Sequence, residues 1–171
     1  LVGSEMCIRD REAQRGHTVA IHSASHDYAK IYQSVDTYFA DFDEMNSIIT
    51  AQTGKAADLV RFPGGSSNTI SKKYCYGIMS QLVCAVEERG FRYCDWNVSS
   101  GDAGGTTSTS QVVANVIEGI KSNNVSVVLQ HDIKNFSVDA VEQIIQWGLS
   151  EGYTFLPMTS TTPMSHHGVN N

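Results

Sequence analysis

Val125-Ser126-Val127-Val128-Leu129-Gln130-His131-Asp132 passes from an apolar run straight into a histidine and an aspartate. A short run rich in β-branched residues reads as a strand buried on both faces of a parallel sheet. The segments around it alternate with it. Gln111 to Lys121 places Val112, Val113, Val116, Ile117 and Ile120 on one helical face. Val138 to Leu149 carries Val141, Ile144, Ile145 and Leu149, expected to point inward. Strand then helix, repeated, is the pattern of an α/β protein.

The same alternation runs back toward the start. Thr18 to Ile21, Leu59 to Phe62 and Phe91 to Trp96 read as strands, and Tyr153 to Leu156 as a last one. Val35 to Thr53 is helical, with Phe39, Phe42, Met45 and Ile49 three or four apart and Gly54 as the stop. Ile78 to Arg89 sets Met79, Leu82, Val83 and Val86 on one face and closes at Gly90. From Thr159 the chain is Ser/Thr-rich and reads as loop.

The bulk properties narrow the function classes. A chain of 171 residues with 41% hydrophobic and 18% charged residues has the composition of one ordinary globular domain. A net charge of −6, without a Lys/Arg cluster, argues against nucleic acid as a partner. No apolar run approaches the length needed to span a bilayer. Cys7, Cys75, Cys84 and Cys94 form no Cys-x-x-Cys pair and read as buried or half-buried free thiols rather than disulfides. Oligomeric state is not legible.

Chemistry-bearing residues gather where strands give way to loops, the place working residues occupy in parallel α/β proteins. After Ile21 comes His22-Ser23-Ala24-Ser25-His26, two imidazoles able to reach one divalent metal. After Val60 comes Arg61-Phe62-Pro63-Gly64-Gly65-Ser66-Ser67-Asn68, whose proline fixes an extended approach and whose glycines alternatively make only a tight turn. Asp95-Trp96-Asn97-Val98-Ser99-Ser100-Gly101-Asp102 and Leu129-Gln130-His131-Asp132 complete the set.

These four stretches resemble the polysaccharide deacetylase family, the NodB-homology domain of carbohydrate esterase family four. The resemblance runs from about Arg15 to the C-terminus and covers four of the family's five motifs. The first motif, Thr-Phe-Asp-Asp-Gly, occurs nowhere in the 171 residues. The implied fold is a distorted (β/α) barrel lacking its first strand-helix-strand unit. Residues 1–11, Leu1 to Arg11, then read as a leader foreign to the family at a truncation junction, 12–158 as a partial deacetylase domain and 159–171 as a tail. Loss of that unit is expected to leave an edge and an apolar face exposed and to favour association.

The resemblance also implies roles. His22 and His26 would be two of three ligands to a divalent metal, zinc, the third being an aspartate of the absent motif. Arg61 would orient the aspartate that serves as general base, and the Gly64 N–H would help stabilise the oxyanion. His131 would protonate the departing amine, Asp102 would hold His131, and Leu129 would line the pocket for the acetyl methyl group. Trp96 opens the fourth motif and is either a wall of the site or core packing. Ser99 and Ala103 depart from the commoner pattern, in which an aspartate and a tryptophan stand there. Asp41 and Asp43 lie in the helix after the histidines and are set aside as substitute ligands; His17, His166 and His167 read as solvated.

The implied activity is metal-dependent deacetylation of an N-acetylated glycan, peptidoglycan or chitin-like, outside the cell or in its envelope, although no signal peptide is visible. Without base and third ligand, the chain as given is expected to be inactive or nearly so. A non-catalytic glycan-binding relative is the alternative. An unrelated metal hydrolase using only the histidines would leave Arg61 and Asp102 without a role.

Overall fold

The computed structural model describes residues 2–171, and their side chains from Ile8 onward. The described chain divides into two compact units, one of residues 1–95 and 157–171, the other of residues 96–156. Cys7 lies outside the described side chains.

In the first unit α1 (Val2–Gln14) runs without a break through the boundary placed at residues 11 and 12 and lies against the long helix α3 (Val35–Thr53), where Arg9 donates to Gln52. The ends of α3 follow from its sequence. Ser34 and Thr37 form a reciprocal capping box, and Gly54 takes the left-handed conformation at φ 76° that ends the helix. Its apolar face buries Phe39, Phe42, Met45 and Ile49, as the spacing predicts. The short helix α2 (Tyr28–Ile31) starts at Asp27, whose carboxylate accepts from the Ala29 N–H. Helix α4 (Ile78–Glu88) buries Met79, Leu82 and Val86 in the same core.

The sheet beneath these helices is short. β1 (Leu59–Val60) pairs in parallel with β2 (Arg92–Tyr93), and on its other side Val60 bridges Ile21. Thr18 to Ile21 therefore contributes one bridging residue rather than a strand. Residues 159–171 are loop, as read, but held: the Asn171 carbonyl accepts from the Ser80 N–H at the start of α4, and its side chain from Gly77.

The second unit holds β3 (Val98–Ser99), β4 (Val128–Leu129) in parallel with it, and helices α5 (Thr109–Lys121) and α6 (Asn135–Ser150) packed on each other. Three sequence expectations are corrected here. The run from Val125 is not a strand throughout, because the Asn97 side chain takes the ladder's place: it donates to the Val125 carbonyl at 2.8 Å and accepts from the Val127 N–H at 2.7 Å. Nor is the run buried on both faces, since Val125 is 62% exposed and β4 has a strand partner on one edge only among the described residues. Tyr153 to Leu156 is loop; Phe155 folds onto Gly148 of α6 and Tyr153 onto Trp147.

The third correction concerns the face of α6. Ser137, Ala140, Ile144 and Gly148 are buried, with Ala140 and Ile144 meeting Val112, Val116 and Ile120 of α5. Val141, Ile145 and Leu149, one position further round, are 41%, 37% and 56% exposed. Both stripes are apolar, so periodicity cannot choose between them; small residues decide, because they let α5 approach closely. Cys84 is also exposed, while Cys75 is half-buried and Cys94 buried, all as free thiols. No described helix is long and apolar enough to cross a membrane.

Close approach is tightest at Gly119 of α5, where an added Cβ would stand 2.4 Å from a Val98 methyl carbon of β3. Gly119→Ala is therefore expected to destabilise the protein by about 2 kcal/mol despite alanine's better helix propensity, read as a lower urea midpoint.

Candidate active site

The site residues read from the sequence fall into two groups, one in each unit. In the first, the chain leaves Ile21 in a tight turn organised by one carboxylate. Asp41, 2% exposed on α3, accepts from the Ser23 hydroxyl at 2.6 Å and from the Ala24 and Ser25 N–H groups at 2.8 Å each. Ser23 in turn accepts from the His26 N–H. Burial would push the Asp41 carboxyl upward, but hydrogen bonds from Ser23, Ser25 and the two amides outweigh it and hold it below its ordinary value.

This turn places the His22 and His26 rings with centroids 5.1 Å apart. His26 is the only non-glycine residue with positive φ, at 51°, among the described residues. Such backbone persists only where its surroundings impose it. His22 Nδ1 lies 2.7 Å from the Arg61 carbonyl, and since a carbonyl only accepts, Nδ1 carries the proton there. In the neutral ring this makes Nε2 the lone-pair nitrogen, the form that metals take. Asp27 caps α2 and Asp43 pairs with Arg89, so neither serves the histidines. Among the described residues no third His, Cys, Asp or Glu joins the pair in a metal-holding group.

Arg61 turns its guanidinium to main-chain carbonyls, Nε to Cys94 and Nη2 to Asp95, both at 3.1 Å. Gly64 and Gly65 have φ of 78° and 79°, so the loop uses both glycines conformationally. Asp95, fully buried, fastens this loop by accepting from the Ser66 N–H at 2.8 Å and the Ser66 hydroxyl at 2.5 Å. It also accepts from the His167 N–H at 2.9 Å. The tail histidines make contacts: His166, although exposed, stacks on Tyr93 at 3.9 Å, and the half-buried His167 reaches Ser67.

In the second unit Asp102 and His131 meet as expected. Asp102, 1% exposed, accepts from His131 twice, from the backbone N–H at 2.7 Å and from Nδ1 at 2.8 Å, and from the Ser137 hydroxyl at 2.6 Å. Burial opposes its ionisation, but Ser137, His131 and Ser100 together draw its carboxyl down to about 2. An Nδ1–H fixed on a carboxylate leaves Nε2 as the nitrogen that exchanges a proton with a substrate. Leu129 is half-buried at the end of β4 with its carbonyl on the Ser100 N–H, and Trp96 is half-buried.

The motifs named the histidines, Arg61 and Asp102. They missed Asp41, Ser137 and the Asp95–Ser66 pair, which hold those residues from 15 or more positions away or from an unremarkable helix start.

A histidine pair after a parallel bridge in one unit and an aspartate-held histidine after a parallel strand in the other fit an α/β protein of the NodB type. Comparison with known proteins agrees. The polysaccharide deacetylase family matches residues 2–76. The catalytic domain of peptidoglycan N-acetylglucosamine deacetylase from Eubacterium rectale is 66% identical and superposes with a TM-score of 0.95, over 97% of this chain and 76% of that one. A polysaccharide deacetylase from Bacillus cereus has a TM-score of 0.80 at 28% identity, over 96% of this chain and 78% of that one. A peptidoglycan-N-acetylglucosamine deacetylase, also from Bacillus cereus, is 31% identical over 150 residues, 85% of this chain and 51% of its own length. The chain belongs to the polysaccharide deacetylase family. It spans about half the length of the curated relatives it matches, 51% and 54%.

Proposed function

We propose that this chain carries the deacetylation machinery for N-acetylglucosamine units of a cell-wall glycan, peptidoglycan by preference, at the cell envelope. The observation that carries the reading is the double hold of Asp102 on His131, which prepares Nε2 to protonate a departing amine. In the hydrolysis water adds to the acetamide carbon, the C–N bond breaks, acetate leaves and the sugar keeps a free amine. His131 as imidazolium, its charge countered by Asp102, delivers the proton that the amine nitrogen needs. The Gly64 N–H, which donates to no described residue, suits the oxyanion.

His22 and His26 would hold a zinc ion, whose contribution when bound is to polarise the acetamide carbonyl. The donor set fits as far as it goes: two imidazoles in one turn, with the His22 proton parked on a carbonyl. Their carboxylate partner and the general base belong to the Thr-Phe-Asp-Asp-Gly motif, which these 171 residues do not contain. The chain as given is therefore expected to take zinc weakly and to release little or no acetate.

The test is a zinc titration of this chain beside a version carrying a Thr-Phe-Asp-Asp-Gly segment, with acetate release assayed in both. Tight zinc and activity only in the second supports the reading. Glycan binding without acetate release in either would replace it with the non-catalytic alternative.

A further inference from the structure

We propose that Tyr28 is a substrate-contacting residue: its hydroxyl, standing over Gly64 beside His26, donates a hydrogen bond to the N-acetylglucosamine unit docked against the Pro63-Gly64-Gly65 loop. The proposal rests on the deacetylase reading and adds a residue to it.

Tyr28 is the first residue of α2, fixed in place by the Asp27 cap. Its ring meets His26 edge-on at 5.7 Å and Tyr32 at 5.4 Å, so it is clamped from two sides. Tyr32 is itself tied to the loop, its hydroxyl donating to the Pro63 carbonyl at 2.7 Å. The two tyrosines thus differ in one respect. The Tyr32 hydroxyl is spent on the fold, whereas the Tyr28 hydroxyl makes no hydrogen bond with any described residue.

The place of that hydroxyl is defined by what it excludes. A Cβ on Gly64 would stand 2.7 Å from Tyr28 Oη and 3.1 Å from Asn68 Cβ, and Gly64 has a φ of 78° that a side chain would strain. The space above the loop belongs to the phenol oxygen of Tyr28, not to residue 64. Gly64 is exposed, so the position is open to a ligand. A rigidly held phenol beside an imidazole pair is the donor that suits a sugar hydroxyl or acetamide oxygen, because its orientation costs little entropy on binding.

Phenylalanine removes the oxygen and keeps the ring contacts. We expect the N-acetylglucosamine tetramer, titrated by NMR into wild type and Y28F with zinc present, to bind Y28F roughly tenfold more weakly, the scale of one lost hydrogen bond in a built site. Zinc affinity and Tm should be unchanged. Gly64→Ala, which crowds Oη, should weaken the tetramer in the wild-type background and less so in Y28F. Equal tetramer affinity in wild type and Y28F would overturn the role of Tyr28 and leave the deacetylase reading standing. A version carrying the Thr-Phe-Asp-Asp-Gly segment that binds neither zinc nor tetramer would overturn the reading itself, and the proposal with it. Loss of zinc along with tetramer in Y28F would show that Tyr28 only supports His26, and would also overturn the substrate contact.

Discussion

Asp102→Ala is expected to cost about 3 kcal/mol of stability, and Asp102→Asn to lower kcat by about a thousandfold in a zinc-loaded, active version of the chain. The first figure comes from what the carboxylate leaves behind. Ser137 is fully buried and donates to Asp102, as do the His131 N–H and Nδ1. Each donor stranded out of water costs about 1–3 kcal/mol. The second comes from tautomer choice: an amide turned to keep Ser137 satisfied presents its NH2 to Nδ1 and drives the proton to Nε2.

The same residue sets a pH signature. The Asp102 carboxyl, drawn down to about 2, lies below its value in the unfolded chain. A depressed carboxyl stabilises the fold above the unfolded value, near pH 4, and that contribution vanishes as pH falls from about 4 toward 2. The contribution is on the order of 2 kcal/mol. Urea unfolding at pH 7, 4 and 2.5 should show wild type losing more over the acid leg than D102N. Identical losses would sink the argument.

How much of this was legible in the sequence depends on whether a property is local. Helix α3 was legible to the residue, because its periodicity, its Ser34 cap and the stop at Gly54 all lie within its own span. The strands were legible as places but not as lengths, since pairing depends on a distant partner. Asn97 shows this well: one side chain, some 28 residues from Val125, takes over the hydrogen bonds that would have extended β4. The face of α6 was misread for a related reason. Two apolar stripes were available, and the choice rested on the shape of α5 rather than on α6.

The site divides along the same line. The residues proposed to act sit in short motifs, and His22, His26, Arg61, Asp102 and His131 are named from them. Residues that hold those side chains in place come from other elements. Ser137 is one serine among many at a helix start, and Asp41 was weighed only as a metal ligand. In the structure its carboxylate organises the turn that carries both histidines.

Asp41→Ala is expected to weaken zinc binding about a hundredfold while leaving both histidines in the chain. Asp41 is the common acceptor for the Ser23 hydroxyl and two successive amides, so its removal frees three donors at once. The Ser23 hydroxyl, no longer held, stops accepting reliably from the His26 N–H, and nothing then compels His26 to stay at φ 51°. Relaxing that dihedral swings the His26 ring away from His22, and two imidazoles that bound as a chelate bind singly. Stability should fall by about 2 kcal/mol, since the turn borders water and part of the loss is repaid by solvation. Asp41→Asn should fall between, because its amide oxygen can still take one N–H. Hydrogen exchange at Ala24 and Ser25 distinguishes this account from general unfolding: those two amides should lose protection while Met79 and Leu82 in α4 keep theirs. Unchanged protection at Ala24 and Ser25 in Asp41→Ala, with zinc affinity equal to that of wild type, would mean that the backbone of the turn holds itself and that Asp41 is incidental to the pair.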